Sequence, residues 1–165
     1  MILFPRLLFA LLLVLAPAII WGTSGALPER VASHFGHDGL PNGWMTRDGY
    51  VMFMLALTIG APLFAVVVSA WAPRAAARKR RMPNAEYWLA PERRDETVAR
   101  MVAHACWLGC MMLAFFVAMH VLLIQANATV PAQLPERAFI ALVVAFVVAL
   151  IVWALAQRLR FRRTP

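Results

Sequence analysis

Charged residues fall in blocks along this chain, and the intervals between the blocks are almost wholly apolar. Runs without Asp, Glu, Lys or Arg occupy Leu7–Gly25, Gly49–Pro73, Met101–Pro135 and Ala138–Gln157. Crossing a hydrocarbon core takes roughly 20 residues at about 1.5 Å rise per residue, so each run is long enough for one span. The third is longer than one helix needs, and its tail Gln125–Pro135, with Asn127, Thr129, Pro131, Gln133 and Pro135, reads as a loop. The pattern predicts four transmembrane helices over about residues 7–25, 50–72, 101–124 and 138–157, with loops 26–49 and 73–100 and a tail 158–165. Backbone in lipid must satisfy its own hydrogen bonds. Uniformly apolar runs do so as helices, and none of these shows the polar alternation of a barrel strand. The expected fold class is all-α: one polytopic membrane domain with a short external loop cap.

Composition agrees. With 62% hydrophobic and 15% charged residues and a mean hydropathy of +0.70, the chain is no ordinary water-soluble globule. The net charge of +8 is unevenly placed. Loop 26–49 sets Arg30 and Arg47 against Glu29, Asp38 and Asp48. Loop 73–100 sets Arg74, Arg78, Lys79, Arg80, Arg81, Arg93, Arg94 and Arg100 against Glu86, Glu92, Asp95 and Glu96, and the tail carries Arg158, Arg160, Arg162 and Arg163. Arginine-rich segments stay on the cytoplasmic side, which predicts a multi-pass membrane protein with both termini inside. The bases flank apolar spans and accompany no nucleic-acid-binding motif, so the expected partner is the lipid bilayer and no nucleic acid. Arg6, the first apolar run and Ser24-Gly25-Ala26 also resemble a secretory signal, but the length of the run and Trp21 at its end favour a retained span.

The most patterned polar segment is Leu27–Trp44. Pro28 suits the first turn of a helix, Glu29 its positive end and Gly36 its stop, which predicts one or two helical turns near Glu29–Phe35 with Val31 and Phe35 on one face. Gly39, Pro41, Asn42 and Gly43 then mark a turn, and Trp44 and Tyr50 return the chain to the interface.

Several side chains invite chemistry. His34, His37 and Asp38 are metal-ligand types within five residues, but zinc takes three or four ligands and no second cluster follows, so no resident metal is expected and His34 should bond to backbone. An outward histidine could also sense pH. His104 and His120 lie near opposite ends of the third span, about 160° apart around it, so they form no common site, and each should reach water or headgroups. Cys106 and Cys110, beside Met101, Met111, Met112 and Met119, offer soft ligands for copper but read as ordinary packing. Gly60 and Pro62 should bend the second span. In the second loop, Arg78–Arg81 form a basic knot, and Tyr87 and Trp88 should lie among the headgroups. Leu27-Pro28-Glu29-Arg30 recurs as Leu134-Pro135-Glu136-Arg137 ahead of the fourth span, without similarity around it.

Two of these stretches carry a resemblance. Pro28, His34, Phe35, Gly39, Pro41 and Gly43, followed by Trp44, resemble the signature of the bacterial membrane family called domain of unknown function 1648 (DUF1648). Pro83–Arg94, with Asn84, Tyr87, Trp88, Pro91, Glu92, Arg93 and Arg94, resembles the cytoplasmic segment of its short members, so the likeness spans about two-thirds of the chain. The family supplies the N-terminal part of SdpI-type immunity proteins, which protect cells from a secreted killing peptide. The resemblance therefore implies a role at the outer face.

No phosphate loop, Ser/His/Asp set or complete metal quartet is visible, so no cofactor and no catalysis are expected. The expected function is a binding, regulatory or immunity-like module that engages an external peptide or another membrane protein. The alternatives are a small transporter or metal-handling accessory, resting on His34, His37, the Met/Cys stripe and Pro62, and a structural subunit of a membrane complex.

Overall fold

The structure, a computed structural model, describes residues 2–71 and 82–162. Helix α1 (Leu3–Thr23) ends in a 3-10 turn, Ser24–Ala26. Strands β1 (Arg30–Phe35) and β2 (Pro41–Thr46) lead into α2 (Arg47–Trp71). The single turn α3 (Ala85–Trp88) precedes α4 (Arg94–Asn127) and α5 (Glu136–Arg162). Among the described residues four helices, α1, α2, α4 and α5, are long and apolar enough to cross a membrane, and the chain is a multi-pass membrane protein.

The helices outrun the uncharged runs that predict them. The 34 residues of α4 extend about 51 Å, against a core of about 30 Å, so a charged first turn with Asp95 and Glu96 stands clear of lipid at the helix's positive end. At the other end of α4, Gln125–Asn127 are helical rather than loop. Helix α5 takes up the tail as far as Arg162, with Arg160 and Arg162 in its last turn, where the carbonyl end favours cations. Pro62 lies within α2. The basic knot Arg78–Arg81 lies outside the described residues.

The helical turns expected in the first loop are overturned. Residues near Glu29–Phe35 form no helix: β1 pairs antiparallel with β2 in a hairpin, Arg30 opposite Thr46 and Ala32 opposite Trp44, with bulges on either side of His34. The reason lies at Asp38-Gly39. Gly39 adopts φ +73°, a conformation open to glycine, and Asp38 Oδ1 accepts from the Leu40 N–H at 3.1 Å, closing a tight turn. Gly36 N–H donates to Leu40 O at 2.8 Å across it. An Asp-Gly pair between apolar residues is a hairpin signal that outweighs a single proline.

Helices α1, α2 and α4 form the centre, and α5 packs chiefly along α4. At the hairpin end, Ile20, Tyr50, Val51, Met54 and Leu123 cluster with Leu27 and Val31. Further along, Phe9 and Ala16 pack on Cys106, Cys110 and Leu113. Both cysteines are free and buried there. Helices α1 and α4 approach closely at Gly109, where a Cβ would stand 2.5 Å from the Phe9 ring.

Candidate functional site

The hairpin lies across the end of the bundle because one of its faces is apolar. Leu27 and Val31 are buried, and Phe35 and Met45 pack against the same cluster. Polar bonds fix its position. Asn127, at the end of α4, donates through Nδ2 to Ala32 O at 3.0 Å and accepts from Ala32 N–H at 2.8 Å through Oδ1. At the turn, Leu134 N–H donates to Gly39 O at 3.1 Å. At the base, Arg47 N–H donates to Glu29 O at 2.9 Å and its guanidinium reaches Leu27 O at 3.3 Å. Thr46 Oγ1 then accepts from Gly49 N–H at 3.2 Å and caps α2.

The other face points away from the bundle. Arg30 stands over the Trp44 ring, 5.1 Å from its centroid, and Trp44 is 44% exposed. The His34 Nδ1–H donates to Asn42 Oδ1, a side-chain partner in place of the expected backbone one. Gly43 makes this possible, since a Cβ there would come within 2.9 Å of His34 Cβ. Of the remaining signature residues, Pro28 is exposed ahead of β1, Phe35 and Pro41 are half-buried, and Gly39 is buried at the turn. His37 and Asp38 are exposed beside it. Among the described residues no group of three His, Cys, Asp or Glu side chains is placed to hold a metal ion.

Beneath the hairpin, His120 is 0% exposed, which corrects the expectation that it reaches water or headgroups. Its Nε2 lies 2.9 Å from Thr23 Oγ1 and its Nδ1 lies 2.9 Å from Tyr50 OH, joining α1, α2 and α4. The Thr23 hydroxyl gives its one proton to Ile19 O at 2.7 Å. Nε2–H therefore donates to Thr23, and Tyr50 OH donates to Nδ1, so every polar atom of the network is paired with a single ring proton. His104 is separate, as its spacing from His120 predicts. Its Nε2–H donates to Trp153 O at 3.1 Å, Trp153 Nε1–H donates back to His104 O at 2.9 Å, and the rings stack at 4.7 Å.

The second predicted segment serves the opposite end of the bundle. Asn84 Nδ2 donates to Phe161 O at 3.3 Å and Arg162 O at 3.0 Å, and Trp88 Nε1–H donates to Phe161 O at 3.1 Å. These are carbonyls of the last turn of α5, which have no partner within the helix. Trp88 also meets Phe161 edge-on at 5.6 Å, and Arg93 lies 4.1 Å over the Tyr87 ring. Thr97 Oγ1 donates to Trp88 O at 2.7 Å and holds the turn to α4. Pro91, Glu92 and Arg94 remain exposed. The segment thus clamps the end of α5.

Sequence reasoning passed over Asn127, Thr23 and Phe161. A signal existed for the first: Asn127 lies seven residues, close to two helical turns, after His120 and so shares its face.

Residues 8–60 match the family model described as Domain of unknown function (DUF1648). No curated protein and no solved structure matches the chain. The matched segment takes in most of α1, the whole hairpin and the first half of α2, including Thr23 and Tyr50, and ends before Pro83–Arg94. The likeness to the DUF1648 family thus rests on residues 8–60, the segment that builds the hairpin and most of its two flanking helices.

Proposed function

We propose that this protein is a non-catalytic binding or regulatory module of the bacterial inner membrane, whose hairpin receives a peptide or a partner protein at the outer face. The observation that carries this reading is the outward side of the hairpin, where Arg30 and Trp44 stack and His34 is oriented by Asn42. Exposed Trp and Arg are the residue types that anchor protein interfaces. Here they stand on a hairpin tied to the bundle by Asn127, Leu134 and Arg47, so little ordering is left to be done on binding. Kinship with the N-terminal part of SdpI-type immunity proteins belongs to the same reading.

Arginine placement supports the orientation, with the hairpin outside and both termini in the cytoplasm. A cysteine introduced at Asp38 should react with a membrane-impermeant reagent in intact cells, and a reporter fused after Arg162 should be active only in its cytoplasmic form. The reverse labelling would reject this orientation. For function, the His34→Ala/Trp44→Ala variant, present in the membrane at the wild-type level, should fail to complement the envelope-stress or toxin-sensitivity phenotype of a deletion strain. Full complementation would exclude the hairpin face as the binding surface.

A further inference from the structure

At the end of the bundle opposite the hairpin, α1, α4 and α5 leave a groove of about 500 Å³, within the range of about 300–1,000 Å³ usual for small-ligand sites. Pro5 of α1 and Ile2 just ahead of that helix form one wall, Ala103 and Trp107 of α4 form the other, and Arg100 and Arg160 supply charge from α4 and α5. His104 completes the lining with its Nε2–H already given to Trp153 O.

Charge and shape together indicate the occupant. The described lining contains two guanidinium groups and no carboxylate. Arg100 is shared with Glu96 at 2.6 Å, both side chains being exposed, whereas Arg160 has no side-chain partner among the described residues. Arg6, next to Pro5, adds a third cation at this end, donating through Nη2 to Ala99 O at 3.0 Å. From Arg100 to Trp107 the helix rises about 10 Å, which carries the groove from the charged edge of the bundle into the apolar span. A cationic mouth continuing into an apolar wall with a tryptophan matches a molecule with an anionic head and a hydrocarbon tail.

We propose that the groove holds one anionic phospholipid, its phosphate between Arg100 and Arg160 and the start of an acyl chain along Trp107. The site is independent of the hairpin and of any role assigned to it.

The test is lipid retention by the full chain in detergent, read by native mass spectrometry after equilibration with phosphatidylglycerol or phosphatidylcholine. Wild-type protein should retain phosphatidylglycerol preferentially. Arg160→Gln should reduce that preference about fivefold, the weight of one arginine beside an anionic headgroup. Arg158→Gln, a neighbouring cation outside the lining, should leave the preference unchanged, and Trp107→Ala should lower retention of phosphatidylglycerol. Equal retention of the two lipids by wild-type protein overturns the proposal, and this comparison needs no variant to fold. An equal loss in Arg158→Gln and Arg160→Gln also overturns it, since the attraction is then diffuse. Displacement of phosphatidylglycerol by inorganic phosphate, with no effect of Trp107→Ala, assigns the groove to a free anion and likewise overturns it.

Discussion

The side-chain amide of Asn127 pairs with both backbone polar groups of Ala32, accepting from its N–H at 2.8 Å and donating to its C=O at 3.0 Å. Ala32 is fully buried, so neither group has water as an alternative. One amide thus covers the free edge of β1 and joins it to the end of α4.

Asn127→Leu should leave two buried backbone groups unpaired, each costing about 1–3 kcal/mol. Asn127→Asp keeps the acceptor and loses the donor, so it should fall between. Thermal unfolding in detergent gives the order, and hydrogen exchange at the Ala32 amide should accelerate more in Asn127→Leu than in Asn127→Asp, which keeps the acceptor of that N–H. Identical melting of Asn127→Leu and wild type would contradict a stabilising role for the pairing.

In the His120 network, the hydroxyl of Thr23 is committed to Ile19 O, which places the ring proton on Nε2. Nitrogen chemical shifts of labelled His120 should show the Nε2–H tautomer. Thr23→Val and Tyr50→Phe should each cost about 0.6 kcal/mol and at most about 1.7, the range measured for hydrogen bonds between membrane helices. An Nδ1–H tautomer would mean that Thr23 donates to the ring instead.

Phe9 occupies the space that a side chain at Gly109 would need, its ring lying 2.5 Å from the position of such a Cβ. Gly109→Ala should therefore destabilise by about 1–3 kcal/mol through overpacking. Combined with Phe9→Ala, it should cost less than the sum of the two single changes, because the smaller side chain vacates the contact. Additive costs would place the strain elsewhere.

At the far end, Asn84 combines a left-handed backbone, φ 52°, with two donors to the carbonyls of α5. Asn84→Gly loses only the donors, whereas Asn84→Ala also strains the backbone, so Ala should be worse by about 1 kcal/mol. Trp88→Phe should retain the edge contact to Phe161 and lose the bond to its carbonyl, at about 1 kcal/mol. Equal stability of the Gly and Ala variants would show that the backbone there relaxes.

The four spans were legible because lipid leaves an uncharged run of this length no other structure. Their ends were not. Once a helix leaves the hydrocarbon, charged residues such as Asp95, Glu96 and Arg160 continue it with favourable dipole contacts, and hydropathy stops reporting. The signature residues of the loop were visible as a group, and the structure keeps them within one hairpin and its approach. Their partners were hidden, because Asn127 and Leu134 lie about a hundred residues away in sequence and become neighbours only when α4 and α5 pack.

The tetrapeptide Leu-Pro-Glu-Arg shows where that boundary falls. At Leu27–Arg30 it leads into a strand, and at Leu134–Arg137 it leads into a helix. After Arg137 comes an apolar run that must close its own hydrogen bonds in lipid, so the sequence alone determined α5 there, as it did the other spans. After Arg30 comes a short mixed stretch whose backbone groups could be satisfied in more than one way. Only the tertiary structure decided that choice, by offering an amide at Asn127 to pair the strand edge and an apolar surface around Tyr50 and Leu123 to bury its inner face.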